Sequence, residues 1–186
     1  MNTPALRRVV FVNRFYWPDE PATAQLLTDL AEGLAAEGWA VSVIASHPGR
    51  PGVPGCEQRN GVSIHRVRGP RWGRHSLLGR MADFAAFLVG ASWRCVRVLH
   101  RGDTLVTKTD PPLLGVILWP WARLCRARQI HWVQDIYPEV AMAVTAGRAS
   151  LWLLASLRGV RDFTWRHSAG CVALGEDMAA FIRARG

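Results

Sequence analysis

Residues 8–45 decide the fold of this chain, and they read RVVFVNRFYWPDEPATAQLLTDLAEGLAAEGWAVSVIA. The apolar, β-branched run Arg8–Asn13 predicts a short buried strand that enters a polar loop containing prolines. Leucines and alanines then recur at helical spacing between residues 26 and 34, which predicts a helix with one apolar face. Trp39–Ala45 predicts a second strand. The stretch is therefore expected to form a β–α–β unit.

The ends of this first helix carry recognisable signals. Pro21 suits the first helical turn, and Asp19 or Glu20 is expected to cap it and to interact with the helix dipole. Gly38 suits the position just beyond the last turn, where a left-handed backbone conformation is common.

Strands and helices continue to alternate along the rest of the chain. We predict a loop over Ser46–Gly61, a third and more exposed strand over Val62–Val67, and further strands over Thr104–Lys108, Ile130–Val133 and Cys171–Leu174. Helices are expected over Ser76–Arg101, from Pro111 or Pro112 to Arg126, over Val140–Thr145, Leu151–His167 and Glu176–Arg185. This alternation predicts one α/β domain, a Rossmann-like, doubly wound parallel sheet with helices on both faces.

Composition excludes several classes of protein. The chain has 186 residues and a formal net charge of +9, and all of its 23 basic residues except Lys108 are arginines. Its four cysteines form no CxxC pair, which argues against a zinc ribbon or a dithiol site and suits a reduced, cytosolic compartment. No secretory signal is visible, and the longest uncharged apolar runs, Phe84–Trp93 and Pro111–Ala122, are shorter than the ~20 residues that span a bilayer.

Ligands of such sheets bind beyond the carboxyl ends of the strands, so the four loops that follow these ends are the candidates for a binding site. They are Arg14–Pro21, Thr109–Pro112, Gln134–Glu139 and Gly175–Glu176. The first loop reads NRFYWP where a dinucleotide site would need GxGxxG, which argues against NAD or FAD. The amino end of the first helix still presents N–H groups and a positive dipole to this edge, and Ala22 and Thr23 are small enough for a ligand to approach.

Four blocks of the sequence carry a family resemblance. They are FYWPDEPATAQLLTDLAEGLAAEGWAVSVIA, TKTDPPLLG, HWVQDIYPEVA and VALGEDM, and together they extend over nearly the whole chain. The chain resembles the N-terminal half of family-4 glycosyltransferases of the GT-B fold. It is most similar to the bacterial surface-polysaccharide branch, which includes fucosyl- and N-acetylfucosaminyltransferases.

The resemblance implies an acceptor-binding half over residues 1–186 and a separate donor-binding domain. The donor signature of two glutamates with seven residues between them does not occur here, so we expect the C-terminal domain to be absent from this chain. The resemblance also implies retention of anomeric configuration with no metal and no cofactor. The expected partners are a nucleotide sugar, a lipid-linked sugar acceptor and a C-terminal GT-B domain in cis or in trans.

The resemblance also assigns roles to loop residues. Asp135 becomes the predicted catalytic residue, which hydrogen-bonds a sugar hydroxyl or stabilises oxocarbenium-like charge. The predicted substrate contacts are Tyr16, Trp17, Ala22, Thr23, Asp110, Gln134 and Glu139. From the residues alone the alternatives stay open: Phe15–Trp17 can simply pack over the edge of the sheet, and both Asp135 and Glu139 can serve as helix caps.

The segment around the long second helix is basic and amphipathic. Aromatic and aliphatic residues in its middle are flanked by arginines, a pattern typical of interfacial helices. The predicted membrane contacts are Arg71, Arg74, Arg80, Trp93, Arg94 and Arg97. The alternative is a helix that packs on the sheet and exposes its arginines to solvent. No nucleic-acid motif accompanies the positive charge, and His131 is expected to be a core residue of its strand.

These observations predict the acceptor-binding half of a glycosyltransferase that builds surface polysaccharide on a lipid carrier. It is expected in the cytoplasm, held peripherally at the inner face of the cytoplasmic membrane. The alternative is a non-catalytic Rossmann-like module that recruits a partner or a membrane.

Overall fold

Strand β1 (Arg8–Val12) lies near the middle of the sheet because its valines and phenylalanine are buried on both faces. The computed structural model describes residues 7–70, 72, 76–137 and 148–185. The other elements are α1 (Ala22–Ala36), β2 (Ala40–Ser46), β3 (Cys56–Arg59), β4 (Val62–Val67), α2 (Leu77–Val98), β5 (Thr104–Lys108), α3 (Leu114–Leu124), β6 (Arg128–Val133), α4 (Arg148–Arg166), β7 (Gly170–Ala173) and α5 (Glu176–Arg183).

The strands form one sheet in the order β3-β4-β2-β1-β5-β6-β7. β1 pairs in parallel with β2 on one side and with β5 on the other, so the order of the strands reverses direction between β1 and β5. This reversal is the topological switch point, where the connections leave toward opposite faces of the sheet and open a crevice. The predicted α/β, Rossmann-like class is confirmed. The helix predicted over Val140–Thr145 lies outside the described residues.

Two predictions about the β3–β4 region were wrong. The segment Ser46–Gly61, predicted as a loop, contains strand β3, which pairs antiparallel with β4 and forms one edge of the sheet. β4 itself is an inner strand between β2 and β3, and its side chains Val62 and Ile64 are completely buried. The short turn Asn60–Gly61, with positive φ at both residues, makes this hairpin possible, and its polar strand CEQR carries no apolar alternation that could reveal it.

The end of α1 was predicted correctly and its beginning was not. Gly38 has a φ of 86°, and the N–H groups of Gly38 and Trp39 donate to the carbonyls of Ala35 and Leu34. These two bonds are those of a Schellman C-cap. At the other end Pro21 is the N-cap and no side chain caps the helix, so neither Asp19 nor Glu20 has the predicted role.

Each face of the sheet carries its own apolar cluster. α1 packs on one face over β1, β2 and β4, with Leu27 and Ala31 at the centre of the contact. α2 and α3 pack on the other face through residues such as Phe87, Ala91 and Leu118. A third cluster joins β6 to α4 and α5 through Val133, Trp165 and Ile182. Helices therefore cover both faces of the sheet, as the sequence predicts.

Gly90 allows α2 to approach the sheet closely. A Cβ atom added to Gly90 would overlap the Cγ1 methyl of Val67, a buried residue at the end of β4. The side chain of Val67 cannot move away easily, because it is packed among Phe87, Ala91 and the neighbouring core. The short distance between α2 and β4 therefore requires glycine, which has no side chain, at position 90.

We expect Gly90→Ala to lower the free energy of unfolding by about 1–3 kcal/mol, the usual effect of overpacking a core. Gly33→Ala on α1 is the matched control, since no heavy atom lies within 4 Å of its added Cβ. Helix propensity should make that control more stable by up to about 1 kcal/mol. Urea unfolding of both variants measures the difference, and equal stability of the two would refute the close approach.

Candidate functional site

The loops after β1, β2 and β5 are joined by backbone hydrogen bonds at the carboxyl edge of the sheet. The N–H of Arg14 donates to the carbonyl of Asp110 at 3.0 Å, which ties the loop after β1 to the loop after β5 across the switch point. The N–H of Ser46 at the end of β2 donates to the carbonyl of Arg14 at 2.9 Å. The crevice between β1 and β5 thus has a fixed backbone on both sides.

Thr109 extends this rim to the loop after β6. Its Oγ1 accepts hydrogen bonds from the N–H groups of Gln134 and Asp135, at 3.1 and 3.2 Å. The side chain of Asp135 is exposed, and that of Gln134 is half-buried. The expectation that Asp135 and the Phe15–Thr23 segment share one edge of the molecule is therefore confirmed, and Thr109 and Asp110 are the residues that link them.

Lys108 lies beneath this rim as a buried cation. Its side chain is 1% exposed, its Nζ donates to the carbonyl of Thr23 at 2.7 Å, and its ammonium lies 4.2 Å from the centre of the Trp132 ring. Burial lowers the pKa of Lys108 to about 8, and the charge of Asp110 opposes this shift. Lys108 therefore holds the first turn of α1 against β5 and places a positive charge below the crevice.

Two carboxylates and a phenol share the electrostatics of the rim. Burial raises the pKa of Asp110 above its usual range; the charge of Asp135 adds to the rise, while Arg14 and Lys108 oppose it. Burial also raises the pKa of Tyr137, and Asp135 and Asp110 raise it further. Asp110 directly follows Thr109, whose Oγ1 accepts from the N–H of Asp135, so this part of the rim offers acidic side chains that can accept hydrogen bonds from a polyol.

A small cavity of about 30 Å³, room for one or two water molecules, lies behind Asp135 and Tyr137. Its wall includes Gly115 of α3, where an added Cβ would lie 2.7 Å from Cε1 of His131 and 2.8 Å from Oγ1 of Thr107. His131 is buried beside it, and burial lowers its pKa to about 4, so its ring is neutral at pH 7. Its Nε2 lies 2.9 Å from Oγ of Ser168, whose hydroxyl donates to the carbonyl of Thr164. His131 is the core residue that the sequence predicts.

A second cavity, of about 90 Å³, lies on the α2 side of the rim. Arg14 and Phe15 from the first loop face Asp83 and Phe87 of α2 across it, and Asp19 also lines the wall. The guanidinium of Arg14 lies 5.2 Å from the ring centre of Phe15 and 4.6 Å from that of Phe84. The cavity therefore combines carboxylates with aromatic walls, a composition that suits a sugar.

The residues of the first loop and of the start of α1 that were predicted to contact substrate differ in their exposure. Tyr16 is 1% exposed and belongs to the core under α1, so its predicted contact with substrate is corrected to a packing role. Trp17 is half-buried, its ring lies 3.9 Å below the guanidinium of Arg59, and its carbonyl accepts a bond from Arg66. Ala22 is exposed and Thr23 half-buried at the start of α1, beside the rim. Their predicted substrate contacts stay predictions.

Other predicted residues are distributed as follows. Glu139, Arg71 and Arg74 lie outside the described residues. Arg80, Trp93 and Arg97 are exposed on α2, and Arg94 is half-buried there. Within residues 7–70, 72, 76–137 and 148–185, no three His, Cys, Asp or Glu side chains come together as metal ligands. The predicted absence of a metal or cofactor remains a prediction.

Sequence reasoning missed three residues of the rim: Arg14, Lys108 and Thr109. Lys108 had a signal, because it is the only lysine in the chain and it ends a strand whose residues are otherwise uncharged. Arg14 and Thr109 had none, since their importance lies in backbone bonds that form only after the strands are paired.

A mostly parallel α/β sheet with polar groups gathered at its switch point defines a Rossmann-like domain. Residues 23–186 match the sequence profile of the glycosyl transferase 4-like domain, and the chain belongs to that family. No curated protein sequence matches the chain.

Among solved structures, sucrose-phosphate synthase from Thermosynechococcus elongatus is similar to this chain, with a TM-score of 0.64 and 13% sequence identity. The match covers 96% of this chain and 45% of that one. This chain thus spans less than half the length of that protein. At this identity the likeness shows the fold, which is one Rossmann-like half of the GT-B type.

We expect the titration of Lys108 to be directly visible, because the chain has no other lysine. Its single side-chain NMR signal should titrate near pH 8 rather than near 10.5. Because the unfolded chain then binds more protons between these two values, the contribution of Lys108 to folding should become more favourable as pH rises from 8 to 10.5. The difference in unfolding free energy between the wild type and Lys108→Met should rise over the same window. A lysine signal that titrates at the ordinary value would contradict the burial.

Proposed function

We propose that this domain is the acceptor-binding half of a glycosyltransferase that moves a sugar from a nucleotide sugar to a lipid-linked glycan. The observation that carries the proposal is the rim of four loops joined across the switch point, with Asp110 and Asp135 on it and a carboxylate-lined cavity beside it. Membership of the glycosyl transferase 4-like family supports the reaction class. A second Rossmann-like domain, in cis or in trans, supplies most of the donor site.

In this proposal the residues of the rim have distinct roles. Asp135 accepts a hydrogen bond from a hydroxyl of the transferred sugar or stabilises positive charge that develops at its anomeric carbon. Asp110 is half-buried nearby and raises the local negative potential. The exposed start of α1 at Ala22 and Thr23 faces the donor phosphates, where helix N–H groups and the Lys108 ammonium below favour an anion. Gln134 completes the polar edge.

The acceptor is proposed to enter the 90 Å³ cavity between the first loop and α2. Asp19 and Asp83 offer acceptors for sugar hydroxyls there, and Phe15 and Phe87 offer apolar faces. The cavity adjoins the first turns of α2, whose outward side carries Leu78 and Met81. A glycan head in the cavity therefore leaves its lipid tail next to exposed apolar side chains.

The outward side of α2 supports a membrane-bound location. Its exposed apolar residues follow helical spacing along the whole element: Leu78, Met81, Ala85, Val89, Trp93 and Val96, which we call the outer stripe. Leu78 is 78% exposed, Val89 71% and Trp93 58%. Arg97 flanks the stripe, with its guanidinium 4.0 Å from the ring centre of Trp93. No helix within the described residues is long and apolar enough to cross a bilayer.

We propose that the outer stripe lies in the interfacial layer of an anionic membrane, with Arg80, Arg94 and Arg97 near the lipid phosphates. This location corresponds to the inner face of the cytoplasmic membrane, where lipid-linked intermediates of surface polysaccharide are assembled. A fucosyl- or N-acetylfucosaminyl-type donor is the proposed specificity. A second candidate function, non-catalytic recruitment to the membrane, is favoured by the same stripe, which needs no donor domain.

The first test uses a protein that carries both halves, assayed with a panel of nucleotide sugars. Asp135→Asn should lower kcat by about 100-fold, the scale seen when one group that stabilises a transition state is removed. Because the Asp135 side chain is exposed, its unfolding free energy should change by less than about 0.5 kcal/mol. Asp29→Asn, an exposed residue of α1, is the control for loss of one charge.

An unchanged rate for Asp135→Asn would remove Asp135 from the site. If the two-domain protein transfers no sugar while this domain still binds vesicles, the recruitment function replaces the enzymatic one. Sugar transfer by the 186-residue chain alone would contradict the assignment of the donor site to a second domain.

A second test addresses the membrane. Leu78→Ala and Trp93→Ala should each weaken binding to vesicles that contain anionic lipid by about tenfold, since each removes apolar surface from the interface. Leu26→Ala is the matched control, because Leu26 is 51% exposed on α1, at the opposite face of the sheet. Binding should also fall steeply with salt, because the Debye length is only about 8 Å at physiological ionic strength. Equal effects of Leu78→Ala and Leu26→Ala would contradict a role for the outer stripe.

A further inference from the structure

A polar groove of about 410 Å³ lies at the amino ends of the strands, at the opposite edge of the sheet from the rim. Its floor is the amino-terminal part of β1, β2 and β4, and one wall is the last turn of α2. None of the rim residues lines it. The groove is therefore separate from the site of the proposed sugar transfer.

Basic side chains surround this groove. Arg8, Arg97, His65 and His100 line it, and Arg94 lies close enough to His65 for its charge to act on the imidazole. No carboxylate is among the lining residues in the described part of the chain. The groove consequently has a positive potential that favours an anion.

A buried carboxylate fixes the position of two of these groups. Asp103 is 3% exposed, accepts a bond from Nε of Arg8 at 3.0 Å and accepts another from the backbone N–H of His100 at 2.8 Å. Another nitrogen of the same guanidinium, NH2, lies 2.8 Å from Nδ1 of His100. Arg8 is thus held in place by the fold, so less side-chain entropy is lost when it contacts a ligand.

The floor of the groove carries hydroxyl groups where the same face of the sheet is otherwise apolar. Ser42 and Ser63 are neighbours in the parallel register of β2 and β4, and both are half-buried. Neighbouring positions on this face hold Val10, Ile44 and Val67, which belong to the core under α2. Within the described residues neither serine hydroxyl has a hydrogen-bond partner. Both remain available to donate to an oxyanion.

We propose that this groove is a binding site for the phosphate group of a phosphomonoester. Such a group carries a charge near −2 at neutral pH and accepts several hydrogen bonds. The guanidiniums of Arg8, Arg94 and Arg97, less the charge of the Asp103 carboxylate, supply a matching positive charge. The serine hydroxyls and the guanidiniums of Arg8 and Arg97 supply donors from different directions. The volume exceeds that of phosphate alone and leaves room for the group that carries it.

The phosphate can come from a lipid headgroup or from a soluble molecule. Arg97 links the two possibilities, because it lines the groove while its guanidinium also covers Trp93 of the outer stripe. A headgroup could therefore enter the groove from a membrane on which α2 lies. The phosphate site itself does not depend on the proposed sugar transfer.

Calorimetric titration of the 186-residue chain with inorganic phosphate at low ionic strength tests the site. We expect saturable binding to one site and a loss of about tenfold in affinity for Arg97→Gln, the scale of a hydrogen bond to a charged group. Arg128→Gln is the control, since Arg128 is exposed at β6, outside the groove, and loses the same charge. Ser63→Ala should give a smaller loss. Absence of saturable binding, or equal losses for Arg97→Gln and Arg128→Gln, would overturn the proposal.

His65 provides an independent readout by NMR. Burial, followed by the charge of Arg94, lowers its pKa in the unliganded protein. Bound phosphate should raise that pKa, because the anion stabilises the imidazolium, and Arg97→Gln should need about tenfold more phosphate for the same rise. A His65 pKa that saturating phosphate leaves unchanged would contradict binding in this groove.

Vesicles then distinguish the source of the phosphate. Phosphatidic acid, a phosphomonoester, is compared with phosphatidylglycerol, a phosphodiester, at matched surface charge. A preference for phosphatidic acid that inorganic phosphate abolishes assigns the groove to a lipid headgroup. Phosphate binding without that preference assigns it to a soluble phosphomonoester.

Discussion

The parallel pairing of β1 with both β2 and β5 is the constraint on which the rest of the structure depends. The connections that follow β1 and β5 run toward opposite faces of the sheet. No single helix therefore covers the space between the carboxyl ends of these two strands. That space must be closed by loops, and the loops bring unpaired backbone groups with them. The bond from the N–H of Arg14 to the carbonyl of Asp110 satisfies two of these groups and fixes the width of the crevice.

Buried cations stabilise the loops that this constraint creates. Lys108 binds the first turn of α1, Arg66 binds the carbonyls of Pro54 and Trp17, and Arg161 binds the carbonyl of Tyr137. Each cation is almost completely buried. Burial of a charge is costly unless hydrogen bonds satisfy it, so these side chains specify where loop carbonyls must lie. These loops thereby gain a fixed geometry without regular secondary structure.

Local pattern predicted the fold well because its elements carry their own signals. Strand β1 is apolar after Arg8 and leads into a polar loop, and α1 ends at a glycine with positive φ. Strand β3 could not be predicted, because the sequence CEQR has no apolar alternation and pairs only through its hairpin with β4. The position of Asp135 on the rim followed from its place just after a predicted strand, because the carboxyl ends of parallel strands meet at one edge of the sheet. The contacts of Thr109 with the loop after β6 and of Lys108 with α1 form only in the folded chain, although Lys108 is already conspicuous in the sequence as its only lysine.

The two sides of α2 show that folding alone does not determine its sequence. The side toward the sheet packs closely through the small residues Gly90, Ala91 and Cys95 together with the larger Phe87. The side toward solvent also carries large apolar residues, those of the outer stripe. A helix that only covers a sheet has polar residues on its outward side. Exposed apolar surface of this extent favours binding to another apolar phase. The arginines beside the stripe match the anionic boundary of a membrane, and they therefore support the proposed interfacial location over contact with a second protein core.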